Sequence, residues 1–244
     1  MGKTYSDGED PLFLLINLDK DSKKLEKSLL EAQRIKVELV RIQALDEKSL
    51  AVKSSFGFPK QVEACWESHL SAYRFFLSTD HQFAIIFEDD FKIENVTKFR
   101  RAMGILQNLG FDLVQLGFLR IGLRNRIFQV LINLECFVFK ILYHALAKKP
   151  IIGQRLASRF RIRQIARTPA GFIPNDFQPG AHAYAISREL ASEIVNNYSK
   201  FLVPADGLLQ MLSQAGGIKS FRLAKSLVGQ YEYADSMRMS KERQ

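Results

Sequence analysis

The sequence predicts an α/β domain with a mainly parallel sheet flanked by helices. Short apolar runs alternate along the chain with segments whose apolar residues recur at helical spacing. The chain has 244 residues and is 47% hydrophobic, which is enough for a full core, so we expect residues 1–244 to form one domain. Lysine and arginine concentrate in one stretch, which predicts a basic, largely helical insert over residues 120–170.

The first elements follow from the residues near the N-terminus. The run "LFLLINLD" is apolar until its polar end and predicts a buried strand. Ser22 is expected to cap a helix in which Leu25, Leu29, Ala32 and Ile35 keep helical spacing. The segment "VELVRI" predicts the second strand.

The next elements continue this alternation. Pro59 suits the first turn of a helix, and apolar residues at helical spacing follow it. "FAIIF" predicts the third strand, residues 97–109 a helix, and "FDLVQLG" the fourth strand. Beyond the basic segment, "AHAYAIS" predicts a strand, residues 188–198 a helix, and "IKSFRLA" a short strand.

The basic segment suggests the kind of partner. Residues 120–167 carry eleven lysines and arginines against one acid, Glu135, whereas the whole chain has a net charge of only +9. A membrane surface with anionic lipids, a packed helix pair with a solvated basic face, and nucleic acid are the alternatives. No nucleic-acid motif accompanies the charges, so we expect no nucleic acid and favour the membrane surface. Asn133, Lys140 and His144 argue against a spanning helix.

The N-terminal segment and the cysteines indicate the compartment. "MGKTYSDGEDPLF" is polar and acidic and lacks the apolar core of a secretory signal. Two cysteines, Cys65 and Cys136, offer no disulfide framework and favour a reducing environment. We therefore expect a cytoplasmic protein that lies peripherally on the inner face of the cytoplasmic membrane.

Three consecutive carboxylates, Glu88, Asp89 and Asp90, follow the third strand directly. Such a cluster repels itself and therefore needs either open water or a cation. Ligands of open α/β sheets bind beyond the carboxyl ends of the strands, and carboxylate oxygens suit Mg²⁺ or Mn²⁺ together with phosphates. In an extended chain Glu88 and Asp90 would point to one side and Asp89 to the other. A solvated turn is the alternative.

Cys65 and His69 lie four residues apart on a predicted helix, a spacing that suits a zinc ligand pair or an activated nucleophile. Nothing else in the sequence supplies further ligands at metal-site spacing. A packed core helix with a hydrogen-bonded His69 is therefore favoured.

Six segments in order resemble glycosyltransferase family 25, the lipopolysaccharide and lipooligosaccharide biosynthesis glycosyltransferases, whose members include β-galactosyltransferases. They are "LLINLDKDSKKLEKSLLEAQRIKVELVRIQALD", "EACWESHLSAYRFFL", "FAIIFEDDF", "FDLVQLG", "GAHAYAISRELA" and "VPADGLL". The resemblance covers roughly residues 12–118 and 179–236. It implies a GT-A-like nucleotide-diphosphosugar transferase fold and inverting transfer of a hexose, galactose from UDP-galactose, onto a lipid-linked oligosaccharide. A non-catalytic membrane- or glycan-binding adaptor with the same fold is the alternative.

The resemblance also implies a metal site. "EDD" corresponds to the family's DxD-type element, in which Asp90 is the expected direct ligand of Mn²⁺ or Mg²⁺ and Glu88 a supporting one, with Asp89 on the donor. A divalent cation there would neutralise the charge that builds on the leaving nucleotide. Inversion further needs a base for the acceptor hydroxyl, and Asp206 is the candidate. A helix N-cap is the other interpretation of Asp206.

The remaining candidates are also carried over from the resemblance. Asn17, Asp19 and Asp46 match the donor-binding half of the family, although strand-end and capping roles explain them equally well. His182 and Gln230 are expected on the acceptor side, with a buried, satisfied histidine as the alternative for His182. The family usually has an arginine soon after "NLD", whereas this chain has Lys23 and Lys24, which leaves the diphosphate contact there open.

Overall fold

The computed structural model describes residues 10–50, 59–118, 169, 171–174, 177–199, 204–215 and 217–231. The predicted basic insert lies almost entirely outside these ranges, so its helices and its role stay predictions. Among the described residues, no helix combines the length and the hydrophobicity needed to cross a membrane.

Nine strands and five α-helices occur in the described part of the chain. The strands are β1 (Leu12–Asn17), β2 (Val40–Gln43), β3 (Phe83–Glu88), β4 (Phe91–Ile93), β5 (Leu113–Gly117), β6 (Phe172–Pro174), β7 (Ala183–Ser187), β8 (Ser220–Leu223) and β9 (Val228–Gln230). The helices are α1 (Ser22–Ile35), α2 (Lys60–Leu77), α3 (Val96–Leu109), α4 (Arg188–Asn197) and α5 (Ala205–Gln214), with a short 3-10 helix at Glu47–Ser49.

Seven of the described strands form one sheet in the order β2-β1-β3-β7-β5-β8-β6. β1 pairs in parallel with β2 and β3, and β5 pairs in parallel with β8. Only β7 and β6 run against the other five strands. The predicted mainly parallel α/β sheet flanked by helices is therefore confirmed.

The sheet is covered on both faces, which explains why its central strands are apolar without alternation. Along β3, Ala84 and Ile86 belong to one hydrophobic cluster, which α2, α4 and α5 complete with side chains such as Trp66. Ile85 and Phe87 belong to the other cluster, which α1 and α3 complete. The ring of Phe87 stacks on that of Phe91 with centroids 4.3 Å apart. A fully buried strand thus leads straight to the acids that follow it.

The segment between β5 and β6 leaves and rejoins the sheet at a single edge. β5 ends at Gly117 on the edge where the parallel strands end. β6 runs antiparallel to β8, and Phe172 at its start pairs with Leu223 at the end of β8. The carboxyl edge of the sheet therefore holds both attachment points of the intervening segment.

One local prediction about α1 is wrong. Ser22 is the first helical residue rather than the cap, because Asp21 occupies the N-cap position and its side chain makes no capping hydrogen bond. The spacing of the apolar residues is helical as predicted, and Ala32 and Ile35 are buried. Leu29 is 44% exposed, so the helix packs on a narrower stripe than its apolar residues suggest.

Candidate active site

A cleft of about 330 Å³ opens where β1 and β3 end. The loop into α1, the segment after β2, the first half of α2 and the three acids after β3 form its walls. The lining residues are Ile16, Leu18, Lys20, Asp21, Lys24, Ala44, Leu45, Asp46, Glu47, Gln61, Ala64, Cys65, Ser68, His69, Glu88, Asp89 and Asp90. The cleft therefore brings acids, lysines and a cysteine–histidine pair together at the edge that the sequence predicts for a ligand.

Glu88, the last residue of β3, is paired with a buried histidine. Its Oε1 lies 3.3 Å from Nε2 of His69, whose Nδ1 lies 2.7 Å from the hydroxyl of Tyr184. That hydroxyl lies 2.7 Å from the hydroxyl of Tyr73, so a chain of polar contacts crosses the core. Burial opposes the charge on Glu88, but the hydrogen bond and charge of His69 outweigh it and lower the pKa of Glu88.

The pKa of His69 is also shifted, in the opposite direction to that of Glu88. Its ring is completely buried, which by itself would lower its pKa, but contacts with Cys65 and Glu88 raise the pKa of His69 to about 10. The predicted hydrogen-bonded core histidine is therefore present. Cys65, however, is exposed in the cleft rather than packed in the core.

Asp90 has a largely buried carboxyl group with a strongly raised pKa, and within the described part of the chain that group is only partly paired. The strand ends at Glu88 and residues 89–90 form a turn, so the extended geometry expected for the three acids does not occur. Asp90 Oδ2 accepts a hydrogen bond of 3.0 Å from Nε2 of Gln230, whereas Oδ1 is buried without a partner among the described residues. Burial, followed by the charge of Glu88, raises the pKa of Asp90 to about 7. A divalent cation would supply the partner that Oδ1 lacks, so these residues fit a metal.

The side chain of Asp89 contacts a residue at the end of β1 and another in α1. Its Oδ2 accepts a hydrogen bond of 2.8 Å from Nδ2 of Asn17, and its Oδ1 lies 3.4 Å from Nζ of Lys24. Burial outweighs both contacts, so the pKa of Asp89 is raised. Asn17 in turn accepts a hydrogen bond from Nε of Arg41 at 2.9 Å. Asn17 thus orients Asp89 and does not line the cleft.

Asp19 and Asp46, the other two candidates for donor binding, differ in whether they line the cleft. Asp19 is 60% exposed in its side chain, accepts hydrogen bonds of 2.5 Å from both Arg41 and Gln43, and is not among the residues that line the cleft. Asp46 does line the cleft, where it caps the 3-10 helix and pairs with Nζ of Lys20 at 2.6 Å. The hydrogen bond from Lys20 lowers the pKa of Asp46.

Asp206 lies in the first turn of α5. The N-cap position belongs to Pro204, so the interpretation of Asp206 as the N-cap is wrong. Its Oδ2 accepts a hydrogen bond from the backbone of Gly180 at 3.1 Å and its Oδ1 one from Gly207 at 2.9 Å. In the described structure Asp206 does not line the cleft but holds the chain that leads into β7.

His182 is buried just before β7. Its Nε2 lies 3.2 Å from the carbonyl oxygen of Val228, and its Nδ1 is buried without a described partner. Burial lowers the pKa of His182, which keeps the ring neutral. A Cβ at Gly117 would overlap Nε2 of His182 and the oxygen of Val228, so glycine permits this close packing. The structure places His182 between strands and not on the lining of the cleft.

Sequence reasoning missed two features of this site. It treated Cys65 and His69 as lacking further ligands, but Glu88 from another element reaches them. It also placed Gln230 on the acceptor side, whereas the structure aims Gln230 at Asp90. Both contacts join residues distant along the chain, and neither leaves a spacing signal in the sequence.

The family assignment rests on a match over most of the chain. The model of a family described as glycosyltransferase family 25 (LPS biosynthesis protein) matches residues 11–209. The chain belongs to glycosyltransferase family 25. The matched residues include β1 to β3, the three acids and Asp206, so this family 25 protein is a glycosyltransferase whose cleft lies within the family's own sequence pattern.

Other comparisons add less to the family 25 assignment. No curated protein matches the chain. Among solved structures, glucosyl-3-phosphoglycerate synthase from Mycobacterium tuberculosis, in complex with Mn²⁺, UDP and glucosyl-3-phosphoglycerate, has 16% identity and a TM-score of 0.39. The alignment covers 97% of this chain and 77% of that one. So loose a superposition says nothing about the ligands of this glycosyltransferase.

Proposed function

We propose that this glycosyltransferase is an inverting, metal-dependent hexosyltransferase that moves galactose from UDP-galactose onto a lipooligosaccharide- or lipopolysaccharide-type glycan. One observation carries the proposal. Asp90 presents a buried carboxylate oxygen that has no partner among the described residues, at the carboxyl end of β3 and in a cleft that also contains lysines. A divalent cation would supply a partner for the Asp90 oxygen, and the nucleotide diphosphate bound to that cation would pair with the lysines.

The metal would be Mn²⁺ or Mg²⁺, held by Asp90 with Glu88 in support. A bound ion would neutralise negative charge on the diphosphate leaving group. This chain's own residues prepare the position: Gln230 fixes one oxygen of Asp90, and His69 keeps Glu88 ionised. Asp89 is engaged by Asn17 and Lys24 and therefore supports the turn rather than the ion.

The lysines of the cleft suit the donor phosphates. Lys24 and Lys20 both line the cleft. Lys24 stands near the position where the family usually has an arginine, so a compact ammonium replaces a planar guanidinium. Lys24 contacts Asp21 and Asp89 at 3.4 Å each, and these carboxylates outweigh the burial that would lower the pKa of Lys24. We assign Lys24 to the diphosphate as a point charge, with Asp46 beside the nucleoside.

Asp206 is proposed as the base that takes the proton of the acceptor hydroxyl. Two backbone N–H groups already donate to its carboxylate, but a carboxylate offers about four acceptor positions. Through Gly180 it holds the chain that leads to His182, whose carbonyl accepts a hydrogen bond from the backbone of Glu88 at 3.0 Å. This connection runs from Asp206 to Glu88, the supporting ligand that we propose for the metal.

A lipid-linked acceptor and a peripheral place on the inner face of the cytoplasmic membrane are proposed from the basic segment. Both attachment points of that segment lie at the carboxyl edge of the sheet, as does the cleft. Reversing the charges of Arg159, Arg161 and Arg163 should weaken binding to vesicles that contain anionic lipids. Unchanged vesicle binding at moderate salt would exclude electrostatic docking.

Sugar-nucleotide turnover with Mn²⁺ tests the function directly. Asp90→Ala should lose both turnover and the Mn²⁺-dependent part of UDP binding in calorimetry. Asp80→Ala, which removes an exposed carboxylate outside the cleft, is the matched control and should change neither. Wild-type protein that binds neither UDP nor Mn²⁺ would instead support the non-catalytic adaptor.

A further inference from the structure

The cleft contains a second group of metal-ligating side chains, which shares Glu88 with the carboxylates around Asp90 but adds a thiol and an imidazole. Cys65, His69 and Glu88 each present a ligand atom, and these three atoms lie within 4.8 Å of one another. Cys65 and His69 come from one face of α2, since residues four apart on a helix are neighbours. Glu88 arrives from the end of β3.

We propose that Cys65, His69 and Glu88 form a binding site for a transition metal that accepts sulfur ligands, with Zn²⁺ as the preferred ion. Sulfur and imidazole ligands select such ions over Mg²⁺ and Mn²⁺, which prefer oxygen. Three protein ligands beside an open cleft leave a fourth position for water or a ligand. Glu88 is shared with the proposed Mn²⁺ or Mg²⁺ site, but this proposal requires neither Asp90 nor a nucleotide and can be tested without either.

The geometry is close to what a tetrahedral ion needs. Zinc with bonds of about 2.0–2.3 Å places its ligands roughly 3.3–3.8 Å apart. The separation of His69 Nε2 from Glu88 Oε1 is already 3.3 Å. The sulfur of Cys65 lies within 4.8 Å of both other ligand atoms, and because Cys65 is exposed its side chain has room to adjust to the bond length of an ion.

The second ring nitrogen of His69 is held by a neighbour, as it is in histidines that bind metals. This nitrogen, Nδ1, lies 2.7 Å from the hydroxyl of Tyr184, which Tyr73 supports in turn. A partner on the second nitrogen fixes the ring and directs the first nitrogen at the ion, as metal-binding histidines require. A catalytic triad would instead place the thiol and the carboxylate on opposite nitrogens. Here Tyr184 occupies one nitrogen and Glu88 the other.

Binding is a proton exchange. Zn²⁺ binds the thiolate of Cys65 and the neutral imidazole of His69, so any proton on either ligand atom passes to the solvent when the ion binds. No oxidant or reductant is involved, because the sulfur binds as a thiolate.

Cobalt is the probe, since a thiolate bound to Co²⁺ gives charge-transfer absorption in the near ultraviolet. Wild-type protein should show this band at one Co²⁺ per chain, lose it on addition of Zn²⁺, and retain it in excess Mg²⁺. Cys65→Ser should abolish the band, while Cys136→Ser, which removes the chain's other cysteine, should keep it. Tyr184→Phe should weaken Co²⁺ binding about tenfold without removing the band.

Two further measurements separate this site from the one around Asp90. Asp90→Asn should keep the cobalt band and lose Mn²⁺-dependent UDP binding, and Cys65→Ser should do the reverse. Circular dichroism checks that each variant is folded, which the exposed and nearly isosteric Cys65→Ser change should preserve. Absence of a thiolate band in the wild type, or its loss in Cys136→Ser instead of Cys65→Ser, would overturn the proposal and leave the transferase mechanism untouched.

Discussion

Replacing Asp90 by asparagine should make the metal-free protein more stable while removing its metal binding. The carboxyl of Asp90 is held where burial and the charge of Glu88 both oppose ionisation. Asparagine has the same shape without the charge, and its side chain can still accept the hydrogen bond from Gln230. The substitution therefore removes an electrostatic penalty and leaves the packing in place.

The size and pH range of this effect follow from the pKa values. Each tenfold difference in proton affinity between the folded and unfolded chain corresponds to about 1.4 kcal/mol. A pKa raised from 3.8 to about 7 then costs at most about 4 kcal/mol, and solvent in the cleft reduces this to about 2 kcal/mol. Between these two pKa values the folded chain keeps a proton that the unfolded chain has lost, so wild-type stability falls as the pH rises. The penalty is complete above pH 7 and absent below about pH 4.

Urea denaturation in the presence of a chelator measures this difference. The free energy of unfolding of Asp90→Asn should exceed that of the wild type by about 2 kcal/mol at pH 8, with no difference at pH 4. Added Mn²⁺ should stabilise the wild type and not the variant. Asp80→Asn, which changes an exposed acid, should show no such pH dependence. A variant that is less stable than the wild type at pH 8, or a difference independent of pH, would refute the reasoning.

Three further outcomes follow from the site. Gln230→Ala should weaken Mn²⁺ binding about tenfold, measured by calorimetry, because Asp90 loses the group that orients it; unchanged affinity would show that the contact does not matter. Lys24→Ala should raise the KM for the sugar nucleotide more than it lowers kcat, while Lys24→Arg keeps most of the binding. Asp206→Asn should lower kcat by about 100-fold or more with donor affinity intact, and near-normal turnover would exclude Asp206 as the base.

The sheet was predictable because its strands are buried on both faces. A strand such as β3 must be apolar at every position, and that requirement leaves an unambiguous run before the acids. The short strands β4 and β9 left no comparable signal, since each has three residues and their pairing joins distant parts of the chain. The large sheet was therefore predictable from the sequence, whereas the two-stranded sheet of β4 and β9 was not.

The site was predictable in part for the same reason. Asp90 and Glu88 were found because they follow a recognisable strand and lie in the cleft as expected. The turn at residues 89–90 and the contact of Gln230 with Asp90 depend on tertiary packing, which periodicity does not encode. The contacts of Asp19 with Arg41 and Gln43 of β2 are equally invisible in the sequence, because they join residues that are distant along the chain.

The way β5 and β6 hold the segment between them has a consequence for how freely that segment can vary. Their attachment points are separated by one intervening strand, β8, and so lie about 10 Å apart at one edge of the sheet. A linker of a few residues can span that gap, and doubling the length of a loop costs only about 0.6 kcal/mol in closure entropy. A change in the length or composition of this segment therefore need not disturb the pairing of β5, β8 and β6 or the position of the three acids.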